Sequence, residues 1–132
     1  MKLIFLDVDG VLNRVQTKAQ APSGCTGIET ELVKNLAKIV NETNALIILT
    51  SDWKVGWEAV SVCCSEDAKY LNEMLAKEGL QIVGKTYDDH VFGDFDEEIR
   101  KHLIKTNCFE GLSVEKAEQA IVIINNGADT DR

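Results

Sequence analysis

Short uninterrupted apolar runs, separated by amphipathic stretches, constrain the fold of this chain more than any other feature. Lys2 to Leu6 (KLIFL) and Ala45 to Leu49 (ALIIL) have the length and continuity of strands buried on both faces. Leu80 to Val83 reads as a third strand and Ile121 to Ile124 as a fourth. Between the first two, Thr26 to Glu29 has capping-box spacing. Leu32, Val33, Leu36, Ile39 and Val40 then recur at helical spacing, ending near Glu42. Ser65 is placed to cap a helix over Ala68 to Glu78, with Leu71, Met74 and Leu75 inward and Gly79 as the stop. An acidic loop runs from Tyr87 to Asp96, and Asp94 and Glu97 open a helix carrying Ile99 and Leu103. A short helix over Val114 to Ala120 leads into the fourth run. Strands alternating with helices predict a Rossmann-like α/β fold, a parallel sheet in a three-layer α/β/α sandwich.

The chain has 132 residues, of which 45% are apolar, enough for one packed core and a single domain over 1–132. No apolar run is long enough to cross a bilayer, and the apolar opening stops at Asp7, too early for a signal-peptide core. The expectation is a cytoplasmic protein with no membrane partner. A net charge of -8 disfavours nonspecific attraction to nucleic acid. A phosphorylated substrate stays compatible with that charge, because a bound divalent cation reverses the local field. Cys25, Cys63, Cys64 and Cys108 match no zinc spacing and read as reduced thiols.

In parallel sheets ligands bind at the carboxyl ends of the strands. There the chain offers Asp7, Thr50, Gly84 or Lys85, and Asn125. The sharpest signal is DVDGVLN, Asp7 to Asn13. Asp7 and Asp9 lie two apart on extended backbone, so both carboxylates can face one way. Paired carboxylates need a shared proton or a cation, and magnesium takes oxygen ligands of this kind. In LTSDWK, Leu49 to Lys54, Thr50 or Ser51 is suited to donate to a phosphoryl oxygen. Lys85, in VGKT, offers a cation to the same group, with Lys54 as a second. His90 and His102 read as solvated or capping side chains.

These residues resemble the motifs of the haloacid dehalogenase-like phosphohydrolases. Asp7, Asp9 and Gly10 match the first motif, Thr50 the second, and Lys85 the third. DVDGVLN, SDWK, GLQIVGKT and EEIRKHL are similar to a small branch with little or no cap, related to domains of bacterial RNA-repair proteins. The resemblance implies that Asp7 attacks phosphorus to form an aspartyl-phosphate, while Asp9 serves as acid and then base. It also implies Mg2+ as cofactor, bridging Asp7, the phosphate and the Asp9 carbonyl, with Thr50 and Lys85 holding the phosphoryl oxygens. The implied substrate is a small phosphorylated metabolite, a nucleotide or the terminal phosphate of a nucleic acid.

The chain departs from the family at the fourth motif, where magnesium-binding acids are expected. IVIINNGAD places Asn125 and Asn126 there, with Asp129 as a substitute if the loop folds back, or Asp88, Asp89 or Asp94. A catalytically impaired phosphate- or partner-binding domain is therefore the alternative reading. A receiver-like signalling domain fits less well, because its phosphorylated acid would follow a central strand, where Thr50 and Ser51 stand here.

Overall fold

The computed structural model describes residues 2–86, 104 and 106–127. Strands β1 (Leu3–Leu6), β2 (Leu46–Leu49) and β3 (Ile82–Lys85) form a parallel sheet in the order β1-β2-β3. Helix α1 (Thr30–Thr43) joins β1 to β2. Helix α2 (Glu66–Ala76) joins β2 to β3, after short 3-10 turns at Asp52–Gly56 and Ser61–Cys63. Successive right-handed crossovers that step the same way across a sheet put their helices on one face. Burial follows this rule. Leu6, Ile47, Leu49 and Ile82 are buried, while Leu3, Phe5, Leu46 and Val83 of the other face are exposed. The expectation that every strand is buried on both faces therefore does not hold for these residues. The helix expected from Asp94 and Glu97 lies outside the described residues.

Each helix starts and stops for local reasons. The α1 face Leu32, Val33, Leu36 and Ile39 is buried as its spacing requires. Its C-cap is Asn44, at φ 59, a left-handed conformation that asparagine tolerates better than most residues. The expected capping box is absent. Glu29 occupies the N-cap without a side-chain cap bond, and its carboxylate instead takes Arg14 Nε at 2.7 Å, Arg14 Nη2 at 2.6 Å and the Thr17 hydroxyl at 2.5 Å. The loop after β1 is thereby tied to the start of α1. Ser65 caps α2 as expected, accepting from the Ala68 N–H at 3.2 Å, and Leu71 and Leu75 are buried beneath it.

The Arg14 guanidinium holds the Glu29 carboxyl below its ordinary value of 4.5, aided by Thr17 and opposed by burial. A depressed folded value stabilises the protein above the unfolded value, and that contribution is lost as pH falls through the folded one. Urea unfolding should therefore show wild type ahead of Glu29→Gln at neutral pH. The gap should close on acidification below 4.5.

One element differs from its expected form. Ile121 to Ile124 is not a strand but part of a continuous helix, α3 (Val114–Gly127). Ala117 is buried in the core and Ala120, Ile121 and Ile124 pack against it, at the spacing of one helical face. This face meets α1. The β-branched run suits a strand, but strand preference depends on a half-buried sheet position that the tertiary structure does not provide here.

Candidate active site

The site is assembled by the carboxyl ends of the three strands. Asp7 follows β1, Thr50 follows β2 and Thr86 follows β3. Val8, between the two acids, is fully buried, and Asp7 and Asp9 are both exposed on the other side of the chain. The backbone then turns, with Val11 and Leu12 N–H groups both donating to the Val8 carbonyl. Gly10 sits at φ +81, which L side chains rarely adopt. The Thr106 hydroxyl donates to the Gly10 carbonyl at 2.6 Å, fastening a distant segment over this turn.

The electrostatics are those of crowded acids. The Asp7 carboxyl is pushed above its ordinary value of 3.8, chiefly by desolvation, although part of the residue is exposed. The Val8 N–H, donating at 2.9 Å, pulls the other way. Asp9 and Asp52 add repulsion. The Asp52 charge, from the start of the 3-10 turn after β2, is the smallest of these effects.

Thr50 is beside the acids, but both its N–H (2.9 Å) and its hydroxyl (3.1 Å) donate to the Leu6 carbonyl. Ser51 is buried and its oxygen accepts from the Trp53 N–H at 3.0 Å. Of the two, Ser51 is the one whose hydroxyl proton is not committed among the described residues. The register of β3 shifts opposite Ile47 and Ile48, so Lys85 pairs with Leu49. Irregularities of this kind re-aim side chains. Lys85 Nζ donates to the carbonyls of Lys54 (2.9 Å) and Trp57 (2.6 Å) and meets Glu58 at 3.2 Å. It holds the 3-10 turn, a task the sequence did not suggest. Lys54 is buried and donates to the Thr86 hydroxyl at 3.0 Å. Trp53 turns its indole N–H towards Asp9 Oδ1 at 3.4 Å.

Asn125 and Asn126 need correcting as metal-ligand candidates. They stand in the last turn of α3 rather than after a strand. The Asn125 side chain accepts from Lys2 Nζ at 3.2 Å. Lys2 precedes β1 and Asp7 follows it, so the two ends are roughly 16 Å apart at the usual strand rise. The structure does not bring these asparagines to the acids. Replacing both with alanine should leave any activity of the acid pair within about twofold of wild type, since distant surface changes rarely perturb a site. Steady-state assays of the double variant check this. Asp129, Asp88, Asp89 and Asp94 lie outside the described residues, as do His90 and His102. Among the described residues no group of three or more His, Cys, Asp or Glu is placed to hold a metal ion.

The donor set at Asp7 and Asp9 still fits magnesium. This ion commonly takes one or two carboxylates and completes its shell with water and substrate phosphate. The repulsion that Asp9 and Asp52 exert on the Asp7 carboxylate is what such a cation relieves.

Among the described residues no helix is long and apolar enough to cross a membrane. None of the curated proteins and none of the solved structures compared matches the chain. Residues 3–94 match the family described as the HAD domain in Swiss Army Knife RNA repair proteins, a span that runs from β1 through both crossovers and β3. That family points to phosphohydrolase-type chemistry. A match over most of the sequence, beginning on the strand that delivers Asp7 and Asp9, makes this chain a member of that HAD-domain family.

Proposed function

We propose that the protein is a magnesium-dependent phosphohydrolase acting on phosphoric monoesters through an aspartyl-phosphate on Asp7. The observation that carries this reading is the placing of Asp7 and Asp9 just past the end of β1, both exposed on the side of the chain opposite the buried Val8, with Ser51, Lys54 and Thr86 beside the neighbouring strand ends. An Asp7 carboxylate oxygen attacks phosphorus as the bond to the leaving oxygen breaks, and Asp9 gives that oxygen a proton. Water then attacks the phosphorus of the aspartyl-phosphate, Asp9 takes the water's proton, and the Asp7–phosphorus bond breaks to release inorganic phosphate. Magnesium held by the Asp7 carboxylate and the Asp9 backbone carbonyl would supply Lewis acidity and neutralise phosphoryl charge. Ser51 and the cationic side of the site, Lys54 with Lys85 behind it, support binding of the phosphoryl group. The family's occurrence in RNA repair proteins favours a terminal phosphate of a nucleic acid as substrate, with nucleotides and small phosphorylated metabolites as the other classes.

A second reading follows from Asn125 and Asn126. Their distance from the acids is compatible with an impaired domain that binds phosphate or a partner without turnover.

Phosphate release separates the two. The substrates are 5′- and 3′-phosphorylated oligonucleotides, nucleoside monophosphates and small phosphate esters, each with and without magnesium. Release that requires magnesium supports the hydrolase. No release on any substrate, with no magnesium binding by calorimetry, supports the impaired domain.

A further inference from the structure

Asn13 closes the DVDGVLN segment and is only 4% exposed. Its side chain makes three hydrogen bonds, and together they determine its orientation. The Gly10 N–H can only donate, so the oxygen that accepts it at 2.9 Å must be Asn13 Oδ1. Asn13 Nδ2 then carries both donors. One goes to Asp9 Oδ1 at 3.0 Å and the other to the Gly27 carbonyl at 3.1 Å. Gly27 is itself wedged in place, since an added Cβ would lie 2.6 Å from the Tyr70 hydroxyl. The amide therefore ties Asp9 to a rigid part of the loop.

The consequence concerns which oxygen of Asp9 can work. Oδ1 accepts from Asn13 and, more weakly at 3.4 Å, from the Trp53 indole. A proton on Oδ1 would face these N–H groups. Oδ2 has no protein partner among the described residues.

We propose that Asn13 is a positioning residue that confines proton transfer to Oδ2 of Asp9 and holds that oxygen towards the leaving group. The proposal rests on the phosphohydrolase reading. In the step concerned, the Asp7 oxygen–phosphorus bond forms and the phosphorus–leaving-oxygen bond breaks. The proton of Asp9 Oδ2 passes to the leaving oxygen.

The test uses leaving groups that differ in their need for that proton. 4-Nitrophenyl phosphate loses an anion that departs unaided, whereas phenyl phosphate gains more from protonation. Single-turnover release of each phenol is measured with saturating magnesium for wild type, Asn13→Ala and Asn13→Asp. The Asp variant keeps the volume and an acceptor for Gly10 while losing the donors, so it serves where Asn13→Ala folds poorly. Expected is a loss on phenyl phosphate about tenfold greater than on 4-nitrophenyl phosphate, within the range that general acids contribute. Equal losses on the two esters, or no loss, with wild type active, overturn the role of Asn13 alone. A wild type that releases phosphate from neither ester and from none of the oligonucleotides, nucleotides and small esters named above overturns the phosphohydrolase reading with it.

Discussion

Asp7→Asn should reduce magnesium-dependent phosphate release by roughly 10³-fold or more, since removal of a nucleophile leaves only the residual effect of binding and positioning. The substitution keeps the size of the side chain and the acceptor for the Val8 N–H. A loss of activity therefore reports chemistry rather than collapse. The same variant should be more stable than wild type near neutral pH. Burial, Asp9 and Asp52 raise the Asp7 carboxyl above its ordinary value, so the folded protein binds its proton more tightly than the unfolded chain. Wild-type stability from this group is then greatest below 3.8 and is lost as pH rises through the folded value. Asparagine carries no such cost. The stability advantage of Asp7→Asn should shrink on acidification and vanish below 3.8, as read by thermal melts across that range. Full activity in the variant would remove Asp7 as nucleophile. A variant less stable than wild type at neutral pH would contradict the crowded-acid electrostatics.

Leu49→Ala should be the most damaging of the stability variants. Leu49 is fully buried at the end of β2, paired with Leu6 on one side and Lys85 on the other. Truncating such a leucine costs about 2–5 kcal/mol, combining lost transfer energy with the cavity left behind. Domains of this size have about 5–15 kcal/mol in total. A melting temperature lowered by roughly 10–15 °C is expected. The cavity would open directly beneath Thr50, and the Leu49 carbonyl anchors Thr86 through its N–H at 3.1 Å. Loosening should therefore spread to the phosphate side of the site. A drop of under about 3 °C would mean that the strand ends are not packed as described.

The parallel sheet and the placing of Asp7 and Asp9 just past the end of its first strand were legible in the sequence because both are local. An apolar run ending in Asp-x-Asp-Gly carries its own strand, its own turn and its own pair of acids. The α1 face was legible for the same reason, since helical spacing repeats every few residues and needs no distant partner to be recognised. The α3 helix was not legible. Ile121 to Ile124 suits either period, and the choice was made by α1, which offers a groove for Ala117, Ile121 and Ile124. That choice carried Asn125 and Asn126 away from the acids.

The remaining site residues depended on contacts between segments far apart in the chain. The Asp52 charge bears on Asp7 only because the chain turns after β2. Lys54 was buried against Thr86, and Lys85 was drawn under the 3-10 turn by a register shift that no residue pattern announces. Asn13 stood within the recognised motif, yet its role needed the Gly27 carbonyl, brought back from the far end of the loop. Sequence alone determined which strand delivers the paired acids, because covalent spacing holds Asp7 and Asp9 together whatever the rest of the chain does. Only the tertiary structure decided which side chains face them, because hydrogen-bond partners and charge neighbours are chosen by packing across the sheet.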